Sequence, residues 1–203
     1  MLVSVKKGPV TAFNGAEVPQ HLSEDEVNRL VRAYEEWFDS EPGPGRARHW
    51  AIFLLMRHTG CRISEALSVN DERDLDFRRC EVVLPSLKRR RRSRRTVPLP
   101  GNVVAEFGRL LASWPELRGS LFRRHRSTVF KVFRARAEEA GIPGELRHPH
   151  VLRHTRAIEL LRAGVPVTAV QQLLGHADIA TTAVYLRFSG VEIRQILEDR
   201  GLI

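Results

Sequence analysis

Three residue types suited to phosphate and proton chemistry recur in the last third of the chain. His148-Pro149-His150-Val151-Leu152-Arg153-His154-Thr155 is followed by Leu173-Leu174-Gly175-His176 and then by Tyr185. A second arginine, Arg62, stands far upstream in Thr59-Gly60-Cys61-Arg62-Ile63-Ser64-Glu65. A guanidinium presents a planar fork of donors that matches phosphate oxygens. Imidazole exchanges protons near neutral pH. A phenol attacks once ionised, yet with a pKa of about 10 only roughly a thousandth is ionised at neutral pH. Two guanidiniums, imidazoles and a phenol form a kit for attacking a phosphodiester without a metal. The chemistry expected is phosphoryl transfer on nucleic acid.

Charge points to the same partner. Lys and Arg number 33 against 24 acidic residues, a formal net charge of +9. Such an excess favours a polyanion, meaning nucleic acid or an anionic membrane surface. No segment has the long uncharged apolar run of a membrane span, so nucleic acid is preferred. The N-terminus lacks the order of a signal peptide. At 203 residues the chain fits one domain with a short extra arm. Cys61 and Cys80 form neither a metal spacing nor a disulfide framework. Both are expected as reduced thiols of a cytoplasmic protein, with Cys61 a small buried filler inside a helix.

The elements that must carry these groups are mostly helical. A helix is expected to start at Ser23, with Glu26 as its capping-box partner and Val27, Leu30, Val31, Tyr34 and Phe38 on one face. Glu41-Pro42-Gly43-Pro44-Gly45 reads as a break before a nearly apolar, central helix from Ala47 to His58. Thr59-Gly60 interrupts it, and a further helix carries Arg62 to Leu67. Residues 80–99 change period: Glu81-Val82-Val83-Leu84 and Arg95-Thr96-Val97-Pro98-Leu99 read as two strands of a hairpin in a small edge sheet. Helices are then expected at about 102–113, 127–140, 150–163, 167–174 and 178–187, with a last one from Val191 to Asp199. The fold class is α+β, mostly helical, with one small antiparallel sheet.

Each candidate also has a plainer reading. Arg62 and Glu65, three apart on a helix, are either a surface ion pair or a buried arginine held by its carboxylate and aimed at a phosphate. Gly60 suits the second, because a glycine lets a phosphate or another backbone approach. His150 and Arg153 share a helical face just after Pro149, as a capped surface helix also would. His154 points elsewhere and reads as a structural hydrogen-bonder. His176 follows the capping glycine of one helix, and Tyr185 alone is a core or interface aromatic. The run from Lys88 to Arg95 holds seven cations in eight positions. It is a solvated tip, or a prong that tracks a nucleic-acid backbone.

These boxes together resemble the catalytic domain of the tyrosine recombinases, the phage-integrase and Xer-like group. The resemblance rests on T-G-x-R-x-x-E at Thr59 to Glu65, the hairpin ending Arg95-Thr96-Val97-Pro98-Leu99, and H-x-L-R-H-T at His150 to Thr155. It continues with L-L-G-H at Leu173 to His176 and the box ending at Tyr185. It implies an irregular arm over 1–20, a catalytic domain over 21–190 and a helical tail over 191–203. Tyr185 would attack the scissile phosphate, forming a 3′-phosphotyrosine bond and releasing a 5′-hydroxyl. Arg62, Arg153 and His176 would hold the phosphate, His150 would assist proton transfer at the tyrosine, and Lys88 would protonate the leaving oxygen. Glu65 would support Arg62, and Arg89, Arg90, Arg91, Arg92, Arg94 and Arg95 would contact DNA.

The implied protein is a site-specific DNA recombinase that needs neither metal nor cofactor, acting on double-stranded DNA as a homotetramer and monomeric in free solution. Its covalent intermediate conserves the phosphodiester's energy, so resealing needs no ATP. Two alternatives share parts of this reading: a type IB relaxing topoisomerase, and a DNA-binding regulator that kept the fold without strand exchange. Relatives commonly carry a separate N-terminal DNA-clamping domain. Here about twenty residues precede the first helix. The chain is read as an excised domain or a naturally minimal enzyme, from which autonomous tight binding is not expected.

Overall fold

The computed structural model describes residues 20–85 and 94–175. The first helix, α1 (Glu24–Ser40), starts as its sequence demands. The Ser23 side chain accepts the Glu26 N–H, and the Glu26 carboxylate accepts the Ser23 N–H at 2.7 Å. Helix α2 (Pro44–Thr59) follows, and its apolar run makes it the central element, packed against α1 and the later helices. It begins three residues earlier than expected, because Pro44 occupies the first turn, where a missing N–H costs nothing. Tyr34 stacks on Phe53 at 4.0 Å between centroids and lies beside Trp50, forming an aromatic seam between α1 and α2.

Helix α3 (Ile63–Ala66) is a single turn, and Arg62 is the residue that precedes it. Cys61 is fully buried, as expected, but it sits in the link between α2 and α3 and not inside a helix. A second short turn, α4 (Asp71–Asp74), is capped by Asn70. It leads into β1 (Leu75–Asp76), a strand that the sequence pattern does not predict. β1 pairs antiparallel with β2 (Glu81–Pro85), which pairs antiparallel with β3 (Arg94–Pro98) in the register Val82 to Val97. The sheet therefore has three strands, with β2 in the middle. Pro85 is tolerated there because β1 pairs only with Glu81 and Val82, which leaves that flank of β2 open at Pro85. The hairpin tip lies outside the described residues.

Helices α5 (Gly101–Ser113), α6 (Arg126–Glu139), α7 (Val151–Arg162) and α8 (Val167–Leu174) match the expected periods within a residue or two. The expected helices 178–187 and 191–199 lie outside the described residues. Two apolar clusters result. The large one joins α1, α2, the sheet, α5, α6 and the start of α7. The small one, Ala157, Ile158, Leu161, Val170 and Leu174, is confined to α7 and α8. Arg57 of α2 grips Glu159 of α7 with two bonds of 2.8 Å. No described helix is long and apolar enough to cross a membrane.

Candidate active site

The arginine box is built by the end of α2. Gly60 adopts φ +62°, and its N–H donates to the Met56 carbonyl, so the helix stops there. A methyl group at Gly60 would lie 2.6 Å from Leu174 Cδ2 and 3.2 Å from Arg156 Cβ. Thr59 closes the turn: its hydroxyl donates to the Leu55 carbonyl and accepts the Cys61 N–H. Arg62 then takes an extended conformation and caps α3, with its N–H donating to Glu65 Oε2 at 3.0 Å. The box is thus a helix stop, a close approach and a helix start in seven residues.

Glu65 is the hub. Its carboxylate is 1% exposed, and Arg62 Nη1 donates to Oε1 at 3.0 Å. Arg95, arriving from β3, donates Nη2 to Oε2 at 2.7 Å. Burial alone would raise the Glu65 carboxyl pKa. Hydrogen bonding and charge from Arg95, with the amide and guanidinium of Arg62, reverse this and hold it below the ordinary value. Arg95 also donates Nε to the Leu173 carbonyl at 2.8 Å. A methyl group at Gly175, where φ is +68°, would lie 2.8 Å from Arg95 Nη1.

Helix α7 brings the second arginine. Arg153 is buried, and its Nη1 donates to the Gly60 carbonyl at 2.9 Å. Its Nη2 is buried with no hydrogen-bond partner among the described residues. Burial, followed by the charge of Arg62, lowers the Arg153 pKa to about 10, with Glu65 opposing the shift. It stays protonated at neutral pH. Three guanidiniums, those of Arg62, Arg95 and Arg153, thus gather near one carboxylate that bonds only the first two, which leaves a positive site with a buried donor unused among the described residues.

His150 immediately precedes α7, and its carbonyl accepts the Arg153 N–H at 3.1 Å. Partial desolvation, then the charges of Arg153, His148 and Arg62, lowers its pKa. It is therefore neutral at neutral pH. The His154 ring meets it edge to face at 4.9 Å and is lowered to about 4, chiefly by burial. Thr155, the last residue of that box, is structural: its hydroxyl accepts the Leu22 N–H at 3.0 Å and donates to the Val151 carbonyl.

Of the residues predicted from sequence, Arg62, Glu65, His150 and Arg153 come together in one place. Arg94 is half exposed and paired with buried Asp74. Arg95, expected on DNA, has its side chain turned inward and only 13% exposed. The sequence carried a signal for this, since Arg95 shares strand parity with the buried Val97. Lys88, Arg89, Arg90, Arg91, Arg92, His176 and Tyr185 lie outside the described residues. Only two tyrosines exist in the chain. The other, Tyr34, is buried in the aromatic seam, and burial pushes its phenol pKa well up, so it is unfit as a nucleophile. Among the described residues no group of His, Cys, Asp or Glu side chains is arranged to hold a metal ion.

Residues 20–190 match the model of the phage integrase family. The chain belongs to the phage integrase family. It is 34% identical over 199 residues to tyrosine recombinase XerD of Bifidobacterium longum, covering 89% of this chain and 62% of that protein. The crystal structure of XerA recombinase superposes with a TM-score of 0.71 at 29% identity, over 93% of this chain and 65% of that one. A XerH site-specific recombinase, bound to palindromic difH substrate in a post-cleavage complex, shares the fold at a TM-score of 0.72 and 21% identity, over 90% of this chain and 53% of that one. This integrase-family chain thus spans less than two thirds of the length of each of these relatives. Its described helices and three-stranded sheet are those of a tyrosine recombinase catalytic domain.

Proposed function

We propose that residues 21–190 form the catalytic domain of a site-specific DNA recombinase that breaks and rejoins strands through a 3′-phosphotyrosine intermediate. The observation that carries this is the buried Arg153, whose Nη2 has no partner among the described residues, next to Arg62 on Glu65. Keeping cations this close is costly unless an anion completes the set. A phosphodiester does so. In the proposed step the Tyr185 oxygen bonds to phosphorus while the bond to the 5′-oxygen breaks. His150, neutral at working pH, takes the phenol proton, and Lys88 supplies one to the leaving 5′-oxygen. Arg62, Arg153 and His176 stabilise the charge that grows on the non-bridging oxygens. Rejoining runs the same step backwards, so protons and charge balance over the cycle.

Double-stranded DNA is the proposed partner, supported by the net charge of +9 and by the family. The Tn1549 transposon integrase, which shares the fold and is seen in complex with a circular intermediate DNA, supports it further. A homotetramer on two duplexes is the proposed assembly, with residues 191–203 as a helical tail and 1–20 as an arm. The test uses nicked, end-labelled duplexes, from the sequence flanking the gene or from a random pool, that trap a cleaved strand. Wild type should give a shifted, protease-sensitive band on a denaturing gel, and Tyr185→Phe should bind equally and give none. A Tyr185→Phe protein that still forms the adduct would show the nucleophile to be misassigned. Salt-sensitive binding with no adduct from wild type would favour a DNA-binding regulator.

A further inference from the structure

Helix α8 touches the main core through its half-buried Leu173. Its buried side chains, Val170 and Leu174, belong to the small cluster it shares with α7, apart from the main core. Yet its C-terminal end must be placed accurately, since Gly175 leads directly to His176. Three contacts tie its end to the arginine box. One is apolar, Leu174 against Gly60. A second is long and polar, Arg62 Nη1 donating to the Gly175 carbonyl at 3.5 Å. The third is a bridge through β3: Arg95 Nε donates to the Leu173 carbonyl at 2.8 Å while its Nη2 donates to Glu65 Oε2 at 2.7 Å.

We propose that Arg95 is a positioning residue for the phosphate-binding arginines and for the end of α8, and not a DNA contact. Its planar fork spans a carboxylate and a helix carbonyl at once, a geometry that a lysine ammonium cannot reproduce. Arg95 takes Oε2 through Nη2 and reaches Oε1 through Nη1 at 3.4 Å, so the Arg62 guanidinium holds Oε1 through Nη1 alone and is kept from closing bidentately on Glu65 and turning away from a phosphate. Gly175 makes room for the bridge, since a methyl group there would press on the Arg95 guanidinium. The carbonyl that Arg95 holds lies three residues before His176 in the chain. One side chain on β3 therefore registers the hairpin, the arginine box and α8 against one another.

This inference rests on the strand-transfer reading above, and the experiment separates the two. Arg95→Ala and Arg95→Lys are compared with wild type on a duplex captured by the trapping assay, below each variant's unfolding transition. Both variants should bind DNA within about twofold of wild type with an unchanged salt slope. Single-turnover cleavage of bound DNA should fall about a hundredfold, as for loss of an oriented donor. A methylphosphonate at the scissile position removes one charged oxygen and hence much of the need for a well-placed arginine. On that substrate the variants' deficit should shrink about tenfold or more. A misfolded variant would show no such recovery. Weaker binding with normal cleavage of bound DNA would overturn the inference and make Arg95 a DNA contact. An equal deficit on both substrates would overturn it too. If wild type never forms an adduct, the strand-transfer reading falls and takes this inference with it. If wild type cleaves and Arg95→Ala cleaves equally well, this inference alone falls.

Discussion

Replacing Glu65 by Gln keeps its shape and removes its charge, which makes it the sharpest probe of the arginine cluster. Both carboxylate oxygens are in use, Oε1 by Arg62 and by the longer bond from Arg95 Nη1, Oε2 by Arg95 Nη2 and the Arg62 amide. A Gln amide can accept on one side only and turns a donor toward a guanidinium on the other. At least one charge-assisted hydrogen bond disappears, about 1.5–3 kcal/mol. Removing one partner of a fully buried pair costs about 3–5 kcal/mol. Arg62 and Arg95 keep side-chain exposures of 24% and 13%, so water screens part of the loss. The expected destabilisation is about 2–4 kcal/mol, read by urea denaturation or as a Tm lowered by roughly 5–15 °C. The pH dependence supplies an internal check. The folded Glu65 carboxyl is held below its ordinary value of 4.5. Its contribution is therefore complete above that pH and lost as pH falls through the depressed folded value. The gap between wild type and Glu65→Gln should close in acid, because a protonated Glu65 is nearly what Gln mimics. A gap under about 0.5 kcal/mol at neutral pH, or one that persists in acid, would refute the hub.

Gly60→Ala should destabilise the chain by more than about 1 kcal/mol in urea, since φ +62° and the Leu174 side chain both oppose a methyl group. A neutral substitution would show that α8 moves aside freely. Exchanging Arg90 and Arg91 for Gln should weaken binding to all duplexes alike. The slope of log affinity against log salt should become shallower by about 0.9 for each phosphate that the arginines no longer neutralise. An unchanged slope at low salt would remove the hairpin from the DNA interface. Single-turnover cleavage should fall on acidification through the pKa of His150, which lies below its ordinary value of 6.5, because only neutral imidazole accepts the phenol proton. A rate that rises as pH drops through that range would contradict His150 as the acceptor.

Much of the architecture is legible along the chain because it is governed by local rules. The Ser23–Glu26 capping box, the apolar period of α1 and the glycine stop at Gly60 depend on neighbours three or four residues away, and each appears as expected. The first turn of α2 escapes such rules because Pro44-Gly45 looks like loop by composition, whereas proline fits a helix start. Strand β1 escapes them because two residues carry no period, and it follows directly on α4, which is anchored from far along the chain. Asp71 accepts the amides of Gly119 and Leu121, about fifty positions away.

The candidate site divides in the same way. By itself the sequence determined the family, through residue types in a set order, and it singled out Arg62, Glu65, His150 and Arg153 before any contact among them was visible. It also made the pairing of Arg62 with Glu65 an expectation, since residues three apart at a helix start can meet on one face. Only the tertiary structure decided that Arg95 turns inward to the same carboxylate across thirty positions of chain, that Arg153 is sealed against Gly60 with one donor unused among the described residues, and that α8 is pinned by its Leu173 carbonyl. The physical reason is that an arginine's type and parity state what it can bind and which way it faces. Which carboxylate or carbonyl waits on that side is settled by how distant helices pack.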